Sequence, residues 1–248
     1  MIHIDARPRT YFIDSLQSVG LLVIDMQLDF FADNGFGASL GNDVRNLQPC
    51  IGPAQELIRR FRHIRQPIIF TKEAQYPNLA DCPLTKQNRS TGPYKIGDPS
   101  PLGRIMIRDT RGSDLIDEIE SLRQPNDIVI YKPGKDAFWG TDLAGILMNL
   151  KLTHLIICGV TTDVCVQTTM REANDRGYVC LLAQDATDSY YPKYKEWTIE
   201  MMTSQGGIVG WSATNPAILT GLPQHPAATA DSLLLPSGAP VLRVGATA

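Results

Sequence analysis

Short apolar runs alternate along this chain with stretches of amphipathic sequence. Apolar, β-branched runs occupy residues 20–25, 67–71, 127–132, 154–159 and 178–183, with a shorter one, GIVG, at 207–210. Apolar residues at helical spacing predict helices over 43–65, 114–122, 142–150, 163–176 and 192–205. Strands without polar alternation, most of them followed by a helix, are typical of a parallel sheet covered on both faces. The pattern therefore predicts a three-layer α/β/α protein with six strands.

Three regions lack this rhythm. Residues 26–41 are mixed in character and predict a loop. Residues 72–112 contain five prolines and little periodicity, and so long a loop usually has a function or an oligomer contact to explain it. Residues 223–248 are rich in proline, alanine and serine, which is typical of a linker, an arm or disorder. We predict one domain over residues 1–222, followed by a C-terminal tail.

The composition is that of an ordinary globular protein. Of the 248 residues, 43% are apolar and 20% are charged, and the formal net charge is −3. This weak acidity offers no electrostatic footprint for nucleic acid or for an anionic membrane. The first residues, MIHIDARPRT, lack the apolar core of a signal peptide, and every apolar run is far shorter than the roughly 20 residues that span a bilayer. These features predict a cytoplasmic protein.

Three chemically distinct residues stand where predicted strands end. Asp25 closes the first strand, Lys132 closes the third, and Cys165 follows the fourth through the turn at 159–162. Ligands of open parallel sheets bind outside the carboxyl ends of the strands, so these side chains are expected at one edge. Each residue has a structural explanation by itself, as a cap, an ion-pair partner or a buried thiol. The arrival of an acid, an amine and a thiol together favours catalysis.

Cys165 is the cysteine that this placement singles out. The five cysteines are odd in number and form no CxxC pair, which argues against a disulfide framework or a zinc ribbon. Cys165 is expected to open a helix, where backbone N–H groups and the helix dipole favour a thiolate. Asp25 is the predicted proton acceptor and Lys132 the balancing charge, because no histidine is placed as a base. The four histidines are His3, His63, His154 and His225.

Three longer segments resemble the isochorismatase-like cysteine hydrolase superfamily. They are LLVIDMQLDF at 21–30, KPGKDAFWGTDL at 132–143 and GVTTDVCVQTTMREANDRGY at 159–178. The resemblance covers nearly the whole chain apart from both ends. It implies a catalytic triad of Asp25, Lys132 and Cys165, and a six-stranded parallel sheet in a Rossmann-like order. It also implies a cis peptide between Val160 and Thr161, and an oxyanion hole formed by the backbone N–H groups of Thr161 and Cys165.

Shorter segments narrow the resemblance to the biuret hydrolase group and its relatives acting on triuret. These segments are IGDP at 96–99, KPGK at 132–135 and QGGIVG at 205–210. The resemblance implies an enzyme that cleaves a C–N bond of a small urea-like amide through a thioester on Cys165 and releases ammonia. The alternatives are a ureidoacrylate or N-carbamoylsarcosine type of amidohydrolase, and a non-catalytic protein with the same fold.

Neither a metal nor another cofactor is expected. The nicotinamidase branch of the superfamily binds a metal through an aspartate and two histidines after the second strand. Residues 71–83 of this chain, TKEAQYPNLADCP, contain Gln75 and no histidine. The cysteine itself distinguishes the chain from true isochorismatases, which cleave a vinyl ether and characteristically lack it.

Four further residues are candidates for binding the substrate. The resemblance implies that Gln205, in the QGG segment, contacts it. Lys135 is a candidate for the distal carbonyl and amide groups, and is equally compatible with an ordinary surface lysine. Phe31 and Phe138 would wall the pocket, and core packing explains both equally well. The resemblance also implies a homotetramer or a homodimer.

Overall fold

The computed structural model describes residues 1–88 and 94–225. Within these ranges the strands are β1 (Ile2–Ile4), β2 (Tyr11–Ile13), β3 (Val19–Ile24), β4 (Ile68–Glu73), β5 (Pro99–Ser100), β6 (Gly103–Arg104), β7 (Ile128–Lys132), β8 (His154–Val160), β9 (Val179–Asp188) and β10 (Trp211–Ala213). The α-helices are α1 (Leu28–Phe31), α2 (Phe36–Ser39), α3 (Ile51–His63), α4 (Leu84–Gln87), α5 (Asp117–Glu120), α6 (Leu143–Asn149), α7 (Gln167–Asp175), α8 (Pro192–Gly207) and α9 (Asn215–Gly221). All but the first three residues of the predicted tail lie outside the described residues.

Six strands form one parallel sheet, in the order β10-β9-β8-β3-β4-β7. Numbered along the chain, the six follow the order 3-2-1-4-5-6, which is Rossmann-like, as predicted. The order of addition reverses between β3 and β8: β4 and β7 follow β3 toward one edge of the sheet, whereas β9 and β10 follow β8 toward the other. At that point Ile24, the last residue of β3, lies opposite Thr71 on one side and Gly159 on the other. This register brings the carboxyl ends of the central strands to a common edge.

The two faces of the sheet carry separate apolar clusters. Every residue of β3 is buried, and successive side chains point to opposite faces, as the pleat requires. Val23 belongs to the cluster beneath α3, with Leu57 and Phe61. Leu22 belongs to the cluster beneath α6, α7 and α8, which includes Met170. Burial on both faces explains why the central strands read as unbroken apolar runs.

The helices are short, and some of them differ from prediction. The helix predicted over 43–65 is a 3-10 turn, Val44–Cys50, followed by α3. The predicted loop at 26–41 contains α1 and α2. The longest helix is α8, and no helix in residues 1–88 and 94–225 has the length and apolar character that crossing a bilayer requires.

The sixth strand was predicted in the wrong place. The apolar run at 207–210 is not a strand, and β10 instead covers Trp211–Ala213. The backbone reverses before it, because Gln205, Gly206 and Gly207 have φ angles of 50°, 78° and 87°. Positive φ angles fit two consecutive glycines and end the regular part of α8. The extended chain resumes only after this turn.

Candidate active site

The three residues predicted at strand ends meet at the carboxyl edge of the sheet. Asp25 follows β3, Lys132 ends β7, and Cys165 lies in a π-helical turn, Thr162–Val166, between β8 and α7. Asp25 and Lys132 are completely buried, and Cys165 is 5% exposed. The Lys132 Nζ lies 2.7 Å from the Asp25 Oδ2. The Cys165 Sγ and a carboxylate oxygen of Asp25 lie within 4.8 Å of each other.

Asp25 is held by its neighbour in the sheet, Thr71 of β4. The Asp25 backbone N–H donates to the Thr71 carbonyl at 3.2 Å, and Asp25 has a φ of 50°. The Thr71 hydroxyl donates to the Asp25 Oδ1 at 2.7 Å. These contacts fix one carboxylate oxygen and turn the other toward Lys132. Burial raises the pKa of Asp25, against the opposing effect of the Lys132 ammonium.

Lys132 is a buried cation with several oxygen partners. Besides Asp25, its ammonium donates to the carbonyls of Gly134 and Lys135, at 2.8 and 3.0 Å. It also lies 3.3 Å from the Glu73 Oε2. Burial alone would lower the pKa of Lys132, but the negative charges around it, that of Asp25 above all and that of Glu73, outweigh burial and raise that pKa. Lys132 therefore supplies a permanent positive charge.

Glu73 completes the cluster and was not predicted from the sequence. It is the last residue of β4, where it lies opposite Lys132 of β7. Its Oε2 accepts a hydrogen bond from the Cys165 thiol at 3.3 Å, and its Oε1 lies 2.6 Å from the Lys86 Nζ. The Gln27 side chain holds its backbone, accepting from the Glu73 N–H at 2.7 Å. The sequence does contain a signal for Glu73, because residues 71–73 follow the second apolar run and bring an acid to the same sheet edge as Asp25.

The surroundings of Cys165 favour the neutral thiol over the thiolate. Burial raises the pKa of Cys165 well above its ordinary value, and the carboxylates of Asp25 and Glu73 add to the effect of burial while Lys132 opposes it. The helix-dipole argument for a resting thiolate does not hold here, because desolvation of the charged form dominates. A reaction at Cys165 therefore needs a base. Asp25 fits that need, since its own pKa is raised.

The turn that carries Cys165 depends on a close approach between β8 and β3. The peptide between Val160 and Thr161 is cis, as the sequence resemblance implied. The N–H groups of Val164 and Val166 both donate to the Thr161 carbonyl, at 3.1 and 3.2 Å. These bonds close the turn around Cys165.

Gly159 is expected to be irreplaceable at this turn. It has a φ of 108°, and a Cβ there would lie 2.0 Å from the Ile24 carbonyl oxygen. Since backbone cannot move aside cheaply, Gly159→Ala should lower the free energy of unfolding by about 3 kcal/mol or more. Urea denaturation measures this. Gly145→Ala is the matched control, because Gly145 lies in α6 with open space around its Cα, and alanine there should stabilise by up to about 1 kcal/mol. Equal stabilities of wild type and Gly159→Ala would contradict the packing argument.

The candidate substrate-binding residues do not assemble as predicted. Gln205 is exposed at the end of α8, where the neighbouring Gly206 carbonyl accepts a bond from Arg9. Because α8 starts beyond the carboxyl end of β9 and returns to the start of β10, Gln205 lies at the opposite edge of the sheet. The structure does not bring it to Cys165 within one chain, and its contact with the substrate stays a prediction.

The two phenylalanines pack in the core. The Phe138 ring stacks on Tyr178, with 5.9 Å between ring centroids, and Tyr178 stands before β9 at the amino edge of the sheet. Phe31 is 4% exposed and belongs to the cluster beneath α3. Lys135 stays near the site, since its carbonyl binds the Lys132 ammonium and its positive charge helps to lower the pKa of Glu73.

The histidines and the other cysteines lie apart from the cluster. His154 begins β8, at the amino edge. Cys50 is completely buried beneath α3. All five cysteines are free thiols. The placement of Cys165 is therefore distinctive for its charged partners rather than for its burial.

One group of side chains has the composition of a metal site. Ligand atoms of Asp25, Glu73 and Cys165 lie within 4.8 Å of one another. The Lys132 ammonium already contacts both carboxylates, so a metal ion would have to compete with it. Gln75, in the histidine-free segment 71–83, is buried, and its side-chain amide donates to the Pro133 carbonyl at 3.2 Å. These contacts fit an ion-paired site better than a metal centre.

Comparison with known proteins agrees with this geometry. The family described as the isochorismatase domain matches residues 19–214. The chain belongs to the isochorismatase family. The superfamily and the fold predicted from the sequence are thereby confirmed.

Individual relatives show how far the similarity extends. A ureidoacrylate amidohydrolase, RutB, from Pantoea ananatis is 27% identical over 184 residues, which is 73% of each chain. A crystal structure of a cysteine hydrolase from Pseudomonas syringae pv. phaseolicola superposes with a TM-score of 0.71 at 18% identity, over 85% of this chain and 94% of that one. The nicotinamidase PncA from Bacillus subtilis has a TM-score of 0.63 at 23% identity, over 79% and 99% of the chains. The structural neighbours support the fold alone.

Proposed function

We propose that this protein hydrolyses the C–N bond of a small carbamoyl amide, and that its substrate is a ureido acid of the ureidoacrylate type. The observation that carries the proposal is the geometry of the cluster: the Cys165 Sγ lies within 4.8 Å of a carboxylate oxygen of Asp25, and the buried Lys132 ammonium lies 2.7 Å from the same carboxylate. The similarity to the ureidoacrylate amidohydrolase of Pantoea ananatis supports the substrate class.

The first half of the proposed reaction forms a thioester. Asp25 takes the Cys165 proton, and the sulfur attacks the carbamoyl carbon. The N–H groups of Thr161 and Cys165 hold the oxyanion, and such donors are worth about 2.7–4 kcal/mol each. Lys132 stabilises the charges of the thiolate and Asp25 while the proton moves. Transfer of a proton within the cluster leaves its net charge unchanged, which favours the step in a buried site.

The second half returns the proton and consumes water. Asp25 protonates the departing nitrogen, and the C–N bond breaks. Water then enters, Asp25 removes its proton, and the hydroxyl oxygen attacks the thioester carbon. The C–S bond breaks, and the proton passes from Asp25 to the departing Cys165 sulfur. Ammonia appears either as the leaving group itself or when a carbamate product decomposes.

Biuret and triuret form the second candidate substrate class. The segments KPGK at 132–135 and QGGIVG at 205–210 favour it, since both resemble the biuret hydrolase group. QGGIVG gives less support than KPGK, because Gln205 lies at the opposite sheet edge from Cys165. For this reason we rank the ureido acid first.

Ammonia release across a panel of amides tests the proposal. The panel is ureidoacrylate, N-carbamoylsarcosine, biuret, triuret and nicotinamide, each measured against Cys165→Ser to subtract spontaneous breakdown. Ureidoacrylate is expected to have the highest kcat/KM, by about tenfold or more over biuret. A higher value for biuret or triuret would overturn the substrate assignment. A higher value for nicotinamide would overturn the carbamoyl class, and no turnover of any compound would favour the non-catalytic alternative.

A further inference from the structure

A second buried ion pair, Glu73 with Lys86, touches the nucleophile but has no part in the steps above. We propose that both are positioning residues: Glu73 holds the Cys165 thiol in place in its protonated form, and Lys86 sets how strongly it does so. The inference rests on the proposed function in one respect, namely that Cys165 is the nucleophile. It does not depend on which amide is the substrate.

The geometry of the Glu73 carboxylate separates its two oxygens by role. Its Oε2 lies 3.3 Å from the Cys165 Sγ and 3.3 Å from the Lys132 Nζ. Its Oε1 lies 2.6 Å from the Lys86 Nζ. The Gln27 side chain binds both the N–H and the carbonyl of Glu73, at 2.7 and 3.2 Å. The carboxylate is therefore held from three sides, and the thiol that donates to it is held in turn.

Glu73 is a hydrogen-bond acceptor but a poor base. Burial works to raise its pKa, but the ammonium groups of Lys132 and Lys86 outweigh burial and hold that pKa at about 2. The pKa of Asp25 is raised instead. Two carboxylates beside one thiol thus have different roles, because the charges around them differ. Glu73 orients the proton, and Asp25 is the group able to remove it.

Lys86 links the contact between Glu73 and Cys165 to α4, in the segment after β4. It belongs to α4, and its side chain is 12% exposed. Besides Glu73, its ammonium donates to the carbonyl of Pro133, the residue next to Lys132. One side chain thus ties α4 to the end of β7 and to the acid that contacts Cys165. If α4 moves and these contacts break, Lys86 no longer balances the negative charge of Glu73 beside the thiol.

The charges around the thiol define the expected direction of each effect. Asp25 faces it from β3, Glu73 from β4 and Lys132 from β7, while Lys86 and Lys135 act on the Glu73 carboxylate. The phenol of Tyr190, after β9, lies within electrostatic range of Cys165 and of Asp163 in the same turn. With the thiol protonated, the two acids balance Lys132 and Lys86. Removing Glu73 should therefore favour the thiolate, and removing Lys86 should disfavour it.

Two charge-deleting substitutions of opposite sign test this. Glu73→Gln and Lys86→Met are each titrated by the ultraviolet absorbance of the thiolate, as the difference against the same protein carrying Cys165→Ser. The pH midpoint of the Cys165 titration should fall in Glu73→Gln and rise in Lys86→Met, each by about one pH unit. At a fixed pH below the midpoint, a shift of this size changes the thiolate fraction about tenfold. The double variant loses one charge of each sign and should return close to the wild-type midpoint.

A purely structural role for the pair would give a different result. Loss of packing alone would move both midpoints in the same direction or leave them unchanged, and either outcome overturns the inference. Lys86→Gln replaces Lys86→Met if the latter does not fold, as judged by its thermal unfolding curve. The titration needs no substrate. Opposite shifts with no amide hydrolysed would overturn the proposed function and leave the inference standing.

Discussion

Cys165→Ser is expected to fold normally and to lose about 10³-fold or more of its turnover with the preferred amide. Serine fills nearly the same volume and can donate to Glu73 as the thiol does, so the fold should persist. A hydroxyl is a far weaker acid than a thiol, and Asp25 cannot deprotonate it to a useful extent. Steady-state ammonia release measures the loss, and the unfolding midpoint checks the fold.

A second thiol provides the control for this substitution. Cys82 is 6% exposed and lies outside the parallel sheet, within electrostatic range of Glu73 and Lys86. Cys82→Ser should keep turnover within about twofold of wild type, as substitutions outside a reacting centre usually do. Near-full turnover in Cys165→Ser would show that the nucleophile assignment is wrong.

Lys132→Met is expected to lower the free energy of unfolding by about 3–5 kcal/mol near neutral pH, besides abolishing turnover. The ammonium is completely buried and contacts two carboxylates, at 2.7 Å for Asp25 and 3.3 Å for Glu73. Without it, neither carboxylate keeps this cation: Asp25 keeps the neutral Thr71 hydroxyl, and Glu73 keeps Lys86. An uncompensated buried anion is far more costly than a lost surface pair. Urea denaturation measures the change.

The stability deficit of Lys132→Met should shrink as the pH falls. In the wild type the pKa of Glu73 is held at about 2, below its unfolded value, so its contribution to stability is present at neutral pH and is lost on acidification. In the variant both carboxylates bind protons more readily in the folded state, so acid relieves the unpaired charge. The difference between the two proteins should narrow as the pH approaches about 4.

An exposed lysine separates this effect from a general change in charge. Lys193 lies on the exposed side of α8, and Lys193→Met should stay within about 0.5 kcal/mol of wild type across the same pH range. A deficit in Lys132→Met that stayed constant with pH would contradict the charge argument. It would point instead to the loss of the two carbonyl contacts as the main cause.

The residues at strand ends are the predictable part of the site. The apolar run at 20–25 and the turn after 154–159 are enough to place Asp25 and Cys165 at one sheet edge, because parallel strands deliver their carboxyl ends together. Lys132 follows by the same logic. The order of the strands comes from the resemblance to a known superfamily, since apolar runs carry no information about which strands are neighbours.

Glu73 could not be predicted without knowing where the second strand ends. The apolar pattern of the second strand stops at Thr71, where polar residues begin, whereas β4 continues to Glu73 and buries it. A polar strand end is stable here only because two lysines from elsewhere in the chain neutralise it. The position of Gln205 has a topological reason. The helix α8 runs from the carboxyl edge of the sheet back to the amino edge, so its last residues lie far from Cys165.

The order of the strands makes the site a late product of folding. Asp25 follows β3 and Cys165 follows β8, two adjoining strands, but the residues that pair these strands, such as Val19 with His154, are separated by more than half of the chain. Non-local parallel pairing forms slowly, since a long loop must close before any contact compensates for its entropy. During refolding, helical circular dichroism should therefore recover before hydrolytic activity. Turnover in this protein thus serves as a reporter of the moment at which the two halves of its sheet join.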